Sequence, residues 1–183
     1  MNTFFKQLSL SLLFMATASS AFAQDTSTPK EKKMNLVYVG LGFGLDYGGI
    51  GGKIEYLPIE NIGVFAGLGH NFDGVGWNVG ASYKIKATDH LSVNPVVMYG
   101  YNGVLKVSGA SEYDMVSHGV TFGVNLDIYV GRKGNKISTG LYVPIRSKKF
   151  MDNYDAVKDD SRVSMDNELL PIAIGVGYNW KLN

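Results

Sequence analysis

The chain of 183 residues carries 23 glycines and no cysteine, with 45% hydrophobic and 18% charged residues and a formal net charge of +1. The near-neutral balance gives no electrostatic case for nucleic acid or an acidic partner. The absence of thiols excludes disulfides, thiolate metal sites, a cysteine nucleophile and a lipid-modified amino-terminal cysteine.

Residues 1–23 read as a signal peptide: Lys6 precedes the apolar run Leu8 to Phe14, and Ala21, Phe22 and Ala23 form a small-x-small cleavage pattern. That run is too short to cross a bilayer as a helix, which takes about 20 residues, and no later run supplies one. A membrane-embedded mature chain must therefore be a barrel. Residues 24–34, with a Lys/Glu cluster at Lys30 to Lys33, have no apolar pattern and read as a solvated periplasmic lead-in.

From Asn35 to Asn183 the dominant pattern has period two, the signature of strands with two unlike faces. In the first segment Val37, Val39, Leu41, Phe43, Leu45 and Tyr47 oppose Gly40, Gly42, Gly44 and Asp46. The second sets Ile50, Gly52, Ile54 and Tyr56 against Lys53 and Glu55, and the third sets Ile62, Val64, Ala66, Leu68 and Phe72 against Gly63, Phe65, Gly67 and Gly69. The fourth places Val75, Trp77, Val79, Ala81, Tyr83 and Ile85 opposite Gly76, Asn78, Gly80, Ser82 and Lys84. In the fifth, Leu91, Val93, Pro95, Val97, Tyr99 and Tyr101 oppose Ser92, Asn94, Val96, Met98 and Gly100. Pro95 cannot donate to a ladder, which predicts a bulge or weak point there.

The sixth segment sets Val120, Phe122, Val124, Leu126, Ile128 and Val130 against Gly119, Thr121, Gly123, Asn125 and Asp127. The seventh sets Ile137, Thr139, Leu141, Val143 and Ile145 against Ser138, Gly140, Tyr142 and Arg146, with Pro144 raising the same question as Pro95. The eighth, Leu170, Ile172, Ile174, Val176, Tyr178, Trp180 and Leu182 against Ala173, Gly175, Gly177, Asn179 and Lys181, is an unbroken apolar row close to the chain end.

Side-chain size decides which face points inward. A soluble barrel needs bulky apolar residues inside and charge outside, whereas here the second face is mostly glycine, serine and asparagine with scattered charge. That face suits a narrow polar interior, leaving the Val/Ile/Leu face against lipid. The fold class is therefore all-β, a closed antiparallel up-and-down transmembrane β-barrel of about eight strands spanning residues 35–183. Lys53, Glu55, Lys84, Asp127, Arg146 and Lys181 would then be enclosed and must pair, which predicts an interior polar network of mixed sign.

Alternating strand direction places Tyr47, Phe72, Trp77, Tyr99 and Tyr101 near the outer rim and Tyr56, Tyr83, Tyr178 and Trp180 near the inner rim, as two aromatic girdles. The links 57–61, 86–90 and 131–136 are short, as periplasmic turns are, and 102–117 and 147–167 are the longest external candidates. In these respects the chain resembles the eight-stranded outer-membrane barrels of the OmpA/OmpX type over Asn35 to Asn183. The resemblance implies residence in the cell outer membrane among its lipids and lipopolysaccharide. It also implies delivery by the barrel-assembly machinery, which reads a final strand with alternating apolar residues and a terminal aromatic. Tyr178, Trp180 and Leu182 match the alternation, but Asn183 is the last residue.

No motif for chemistry stands out. The glycines from Gly40 to Gly52 precede no strand-to-helix transition and do not read as a phosphate loop. Of His70, His90 and His118, only His118 has Ser117 and Asp114 close in sequence, and strand geometry puts Ser117 and His118 on opposite faces. Asp152, Asp155, Asp159, Asp160 and Asp166 match no calcium-loop spacing and are interleaved with Lys148, Lys149, Lys158 and Arg162, as in a solvated loop. The reading is a non-enzymatic membrane scaffold with no cofactor and no metal, displaying external loops for surface contact or envelope integrity, their ligand unspecified by the sequence. The alternatives are a narrow passive pore and a lipid A-modifying enzyme, since some small barrels deacylate or acylate lipid A.

Overall fold

The computed structural model describes residues 33–71, 74–105, 115–159 and 170–183. The signal peptide expected at 1–23, most of the lead-in and the girdle position Phe72 lie outside them.

Among the described residues nine strands form one sheet: β1 (Lys33–Gly44), β2 (Gly49–Ile59), β3 (Ile62–His70), β4 (Val75–Tyr83), β5 (Ile85–Thr88), β6 (Leu91–Leu105), β7 (Met115–Val130), β8 (Asn135–Pro144) and β9 (Ala173–Lys181). All pairings are antiparallel. The order β4-β3-β2-β1-β9-β8-β7-β6-β5 is closed by pairing of β4 with β6. β4 and β5 both pair with β6 and are two parts of one stave, so the barrel has eight staves in up-and-down order.

The stave breaks at Lys84 because that residue pairs elsewhere. Its amide donates to the Asn61 carbonyl (2.7 Å), and its own carbonyl accepts from Asn61 Nδ2 (3.1 Å). The gap explains Pro95: Ser82 pairs with Val96 and Ile85 with Val93, so the proline, which has no N–H, lies beside the interruption. On its other side β6 stays in register, Pro95 opposite Val124, and the β6 bulge falls later, between Tyr101 and Gly103. The weak point expected at Pro95 is thus confined to one edge.

The near end of the barrel carries Lys33, Asn183 and the turns after β2, β5 and β7. The seam there is sewn by Asn183, whose Oδ1 accepts from the Val37 amide (2.8 Å) and whose Nδ2 donates to the Asn35 carbonyl (2.8 Å). The far end carries the connections after β1, β3, β6 and β8. At that end a helix, α1 (Lys148–Asp159), occupies part of the stretch expected as loop. Ser147 Oγ accepts from the Phe150 amide (3.2 Å), an N-cap, and Phe150, Tyr154 and Val157 form one buried stripe with Leu105.

The outer surface is the apolar face of every strand. Leu41, Ile50, Leu68, Val75 and Ile174 are each at least 60% exposed, and the same face continues through Val97, Phe122, Leu141 and Val143 around the barrel. Water does not tolerate a continuous apolar belt of this extent, whereas lipid does. Closure pairs the staves around the barrel, the condition for a sheet in hydrocarbon, except at the far end of β9, which continues to Ala173 on β8 alone.

Inside, large side chains alternate with glycine. Tyr142 lies over Gly123 and Gly140, Phe65 over Gly80, and Tyr47 over Gly42 and Gly177. A Cβ at any of these glycines would collide with the ring it carries, so the glycines mark where the wall approaches the filling. Together with Leu45, Val96 and Met98, Phe65 and Tyr142 make an apolar midsection, so the interior is less uniformly polar than its composition implied.

A Cβ at Gly67 would sit 2.1 Å from the Asp46 carbonyl oxygen, whereas at Gly52 the nearest atom is 3.5 Å away. Gly67→Ala should therefore lower stability by about 1–3 kcal/mol, the usual cost of overpacking. Gly52→Ala should stay within about 0.5 kcal/mol of the parent. Urea unfolding in lipid vesicles, followed by tryptophan fluorescence, measures both.

Candidate functional site: a lumen closed by ion pairs and an inward turn

Four staves each send one charged side chain into the lower lumen: Glu55 from β2, Lys84 from the break between β4 and β5, Asp127 from β7 and Lys136 from β8. Lys84 Nζ lies 2.8 Å from Glu55 Oε1 and 2.9 Å from Asp127 Oδ2. Lys136 Nζ lies 2.7 Å from the same Asp127 oxygen and also pairs with Glu55. Ser138 Oγ donates to Asp127 Oδ1 (2.6 Å), and the Lys136 ammonium stands 4.6 Å from the centre of the Tyr38 ring. All four charged groups are buried.

A second pair seals the lumen further up. After Gly44 the chain leaves the sheet and winds a 3-10 turn, Leu45–Tyr47, into the barrel, with Gly44, Gly48 and Gly49 at φ of 131°, 71° and 110°. Those angles favour glycine and permit the reversal. Within the turn Asp46 Oδ2 is 2.5 Å from Lys53 Nζ, and Lys53 stands 4.3 Å from the centre of the Tyr47 ring. Tyr47 OH donates to Asn179 Oδ1 (3.2 Å) and Asn179 Nδ2 donates to Ser138 Oγ (3.0 Å), so the turn is tied to the four-stave cluster. Three lysines face three carboxylates across the two groups, leaving the enclosed charge balanced.

Several positions differ from the sequence expectation. Tyr47, expected on the outer girdle, is fully buried in the lumen because the strand ends at Gly44 and alternation stops there. Tyr101 is half-buried and packs against the Leu45 cluster rather than standing in the girdle, beside Gly100 at φ 147° and the β6 bulge. Of the six residues expected in one network, Lys53, Glu55, Lys84 and Asp127 are ion-paired inside. Arg146 lies at the far mouth beyond the end of β8, and Lys181 lines a crevice at the near mouth; neither joins the cluster. Two partners lie outside that expected set: Lys136, at the end of the expected link 131–136, shares parity with Ser138, Gly140 and Tyr142, and Asp46, on the inward face, meets Lys53.

On the outside, Trp77 meets Tyr99 (ring centroids 6.2 Å) and His118 (5.9 Å) towards the far end. Tyr178 meets Trp180 edge-on at 5.0 Å towards the near end, where Tyr56 and Tyr83 are also exposed. Ser117 is buried in the lumen while His118 is exposed, so the two do not share a face. In the near-end turn the exposed Asp89 carboxyl is held below its ordinary range by a hydrogen bond from Lys86 (2.8 Å), a screened surface pair of little weight.

No family model matches the chain, and no curated protein matches it. Among solved structures it is similar to a designed protein described as "De novo design of transmembrane beta-barrels", with 14% identity and a TM-score of 0.43. That similarity covers 83% of this chain and 99% of the designed one.

Asp127 is the hub, accepting from both Lys84 and Lys136. Asp127→Ala should cost about 3–5 kcal/mol, because it strands a buried ammonium rather than removing a pair. Adding Lys136→Met should recover part of that loss by removing the surplus charge, a non-additivity read from a double-mutant cycle in vesicle unfolding.

Proposed function

We propose that the chain is an exported, non-enzymatic outer-membrane scaffold of the small OmpA/OmpX-like kind, whose task lies in the regions it displays at its far end. The observation that carries this reading is the sealed lumen: charged side chains from four staves and an inward turn occupy the space a solute would need. A barrel of eight staves has an interior that side chains can fill, which fits this role.

On this reading the near end faces the periplasm and the far end faces outwards. There α1 packs on the β6–β7 extension and forms a small apolar core of its own, Leu105, Phe150 and Val157 with Tyr154. Surface contact or envelope integrity would then depend on this platform. The surrounding partners are outer-membrane lipids, lipopolysaccharide and, during biogenesis, the barrel-assembly machinery.

The test exchanges residues 102–117 and 147–167 for short turns. The barrel should still fold and insert, while binding to surfaces, or the envelope-integrity phenotype of a deletion strain, should be lost. Planar bilayers carrying the parent protein should show no persistent large conductance. A steady open channel would support a pore instead, and lipid A altered by the parent but not by a strain without it would support an enzyme.

A further inference from the structure

The inward turn leaves an opening in the barrel wall. The last ladder partners of β1 and β9 are Phe43 and Val176, while β9 continues to Ala173 paired only with β8. Gly44 still lies against Gly175, but at Ala173 and Ile174 the side of β9 that would have met β1 faces a gap, because the chain turns into the lumen after Gly44. A cleft of about 530 Å³ occupies the gap, within the usual ~300–1,000 Å³ range of small-molecule sites.

Its lining joins two environments. Phe43, Ile50 and Ile174 are lipid-facing side chains of the outer belt, whereas Leu45 and Tyr101 belong to the lumen and Ala173 packs against the Leu45 cluster. The cleft is thus a lateral notch, apolar along its length and continuous with the surface that lipid covers. Its floor is closed by the turn.

A cation stands beside the notch residue Tyr101. Arg146 is half-buried, forms no ion pair with any described residue, and its Nε is buried without a hydrogen-bond partner. It lies against β6, where a Cβ at Gly103 would be 3.2 Å from Nε, two positions from the notch residue Tyr101, with which it interacts electrostatically. Burial pulls its pKa below the ordinary arginine value, the mark of a guanidinium held partly out of water with no anion beside it.

We propose that the notch binds a long-chain fatty acid that enters sideways from the lipid, its chain lying against Phe43, Leu45 and Ile174 and its carboxylate pairing with Arg146. One chain fits because the opening is a single gap between two strands, and the planar guanidinium suits a carboxylate head. The inference rests on the membrane placement of the outer belt and not on the role of the displayed regions.

The test uses the full mature chain in phosphatidylcholine nanodiscs at alkaline pH, with labelled palmitate measured against protein-free discs. Saturable binding of one palmitate per chain is expected. Arg146→Gln should weaken it about tenfold, the size of one lost charged hydrogen bond, while leaving uptake of methyl palmitate unchanged. Ala173→Trp, which fills the notch, should reduce binding to the protein-free background, whereas Leu126→Trp, on the lipid face of β7 away from the notch, should leave it intact. Palmitate uptake equal to empty discs, or binding indifferent to Arg146→Gln, overturns the proposal even where Ala173→Trp does not fold. Displacement of palmitate by a lower concentration of lysophosphatidate would reassign the head group to a phosphate.

Discussion

Asp127 accepts from two lysines that reach it from different staves, and Glu55 meets the same two lysines from the opposite wall. Lipid outside offers no solvation to these groups, and all of them are buried. Each charge is therefore tolerable only because its counter-charge stands within hydrogen-bond reach. That requirement links β2, β7, β8 and the break between β4 and β5 across the barrel, so the cluster ties together staves that the sheet connects only around its circumference. The break at Lys84 belongs to the same constraint: its backbone pairs with Asn61 in the turn after β2, while its side chain serves the lumen.

The inward turn extends this arrangement upwards. Leu45 completes the apolar midsection, Asp46 neutralises Lys53, and Tyr47 reaches Asn179 and through it Ser138, one of the donors to Asp127. Glycines on the surrounding strands make room for it, with Gly67 facing its backbone and Gly42 and Gly177 facing its aromatic ring. A lumen packed in this way is a structural core assembled from mixed polar and apolar parts. The closing of the lumen and the opening of the lateral notch have one origin, since the residues that fill the interior are those that would otherwise have continued the wall beside β9.

The far end is built on different physics. Here α1 and the extended β6–β7 hairpin bury a small aromatic and aliphatic cluster above the barrel. Arg146 stands between that cluster and the midsection, a half-buried guanidinium without a counter-charge among the described residues, in contrast to the full pairing of the three lysines below.

Alternation along the chain determined the number of staves, their antiparallel order and which face meets lipid, because a period of two fixes the side of every residue as long as the strand runs on. The inward positions of Lys53, Glu55, Lys84 and Asp127 were legible for that reason. Lys136 carried the same parity and was obscured only by the assumed length of the preceding turn. Tertiary structure decided what parity cannot reach. Tyr47 is buried because Gly44 ends the strand and the turn is drawn into a space defined by six other elements, and Tyr101 turns inward at a bulge. The helix at 148–159 had a visible apolar spacing in Phe150, Tyr154 and Val157, yet its stability depends on Leu105, distant in sequence. Pairing partners across the lumen, and the gap beside Ala173, arise only when the sheet closes, since closure alone sets which staves face one another and where the wall falls short.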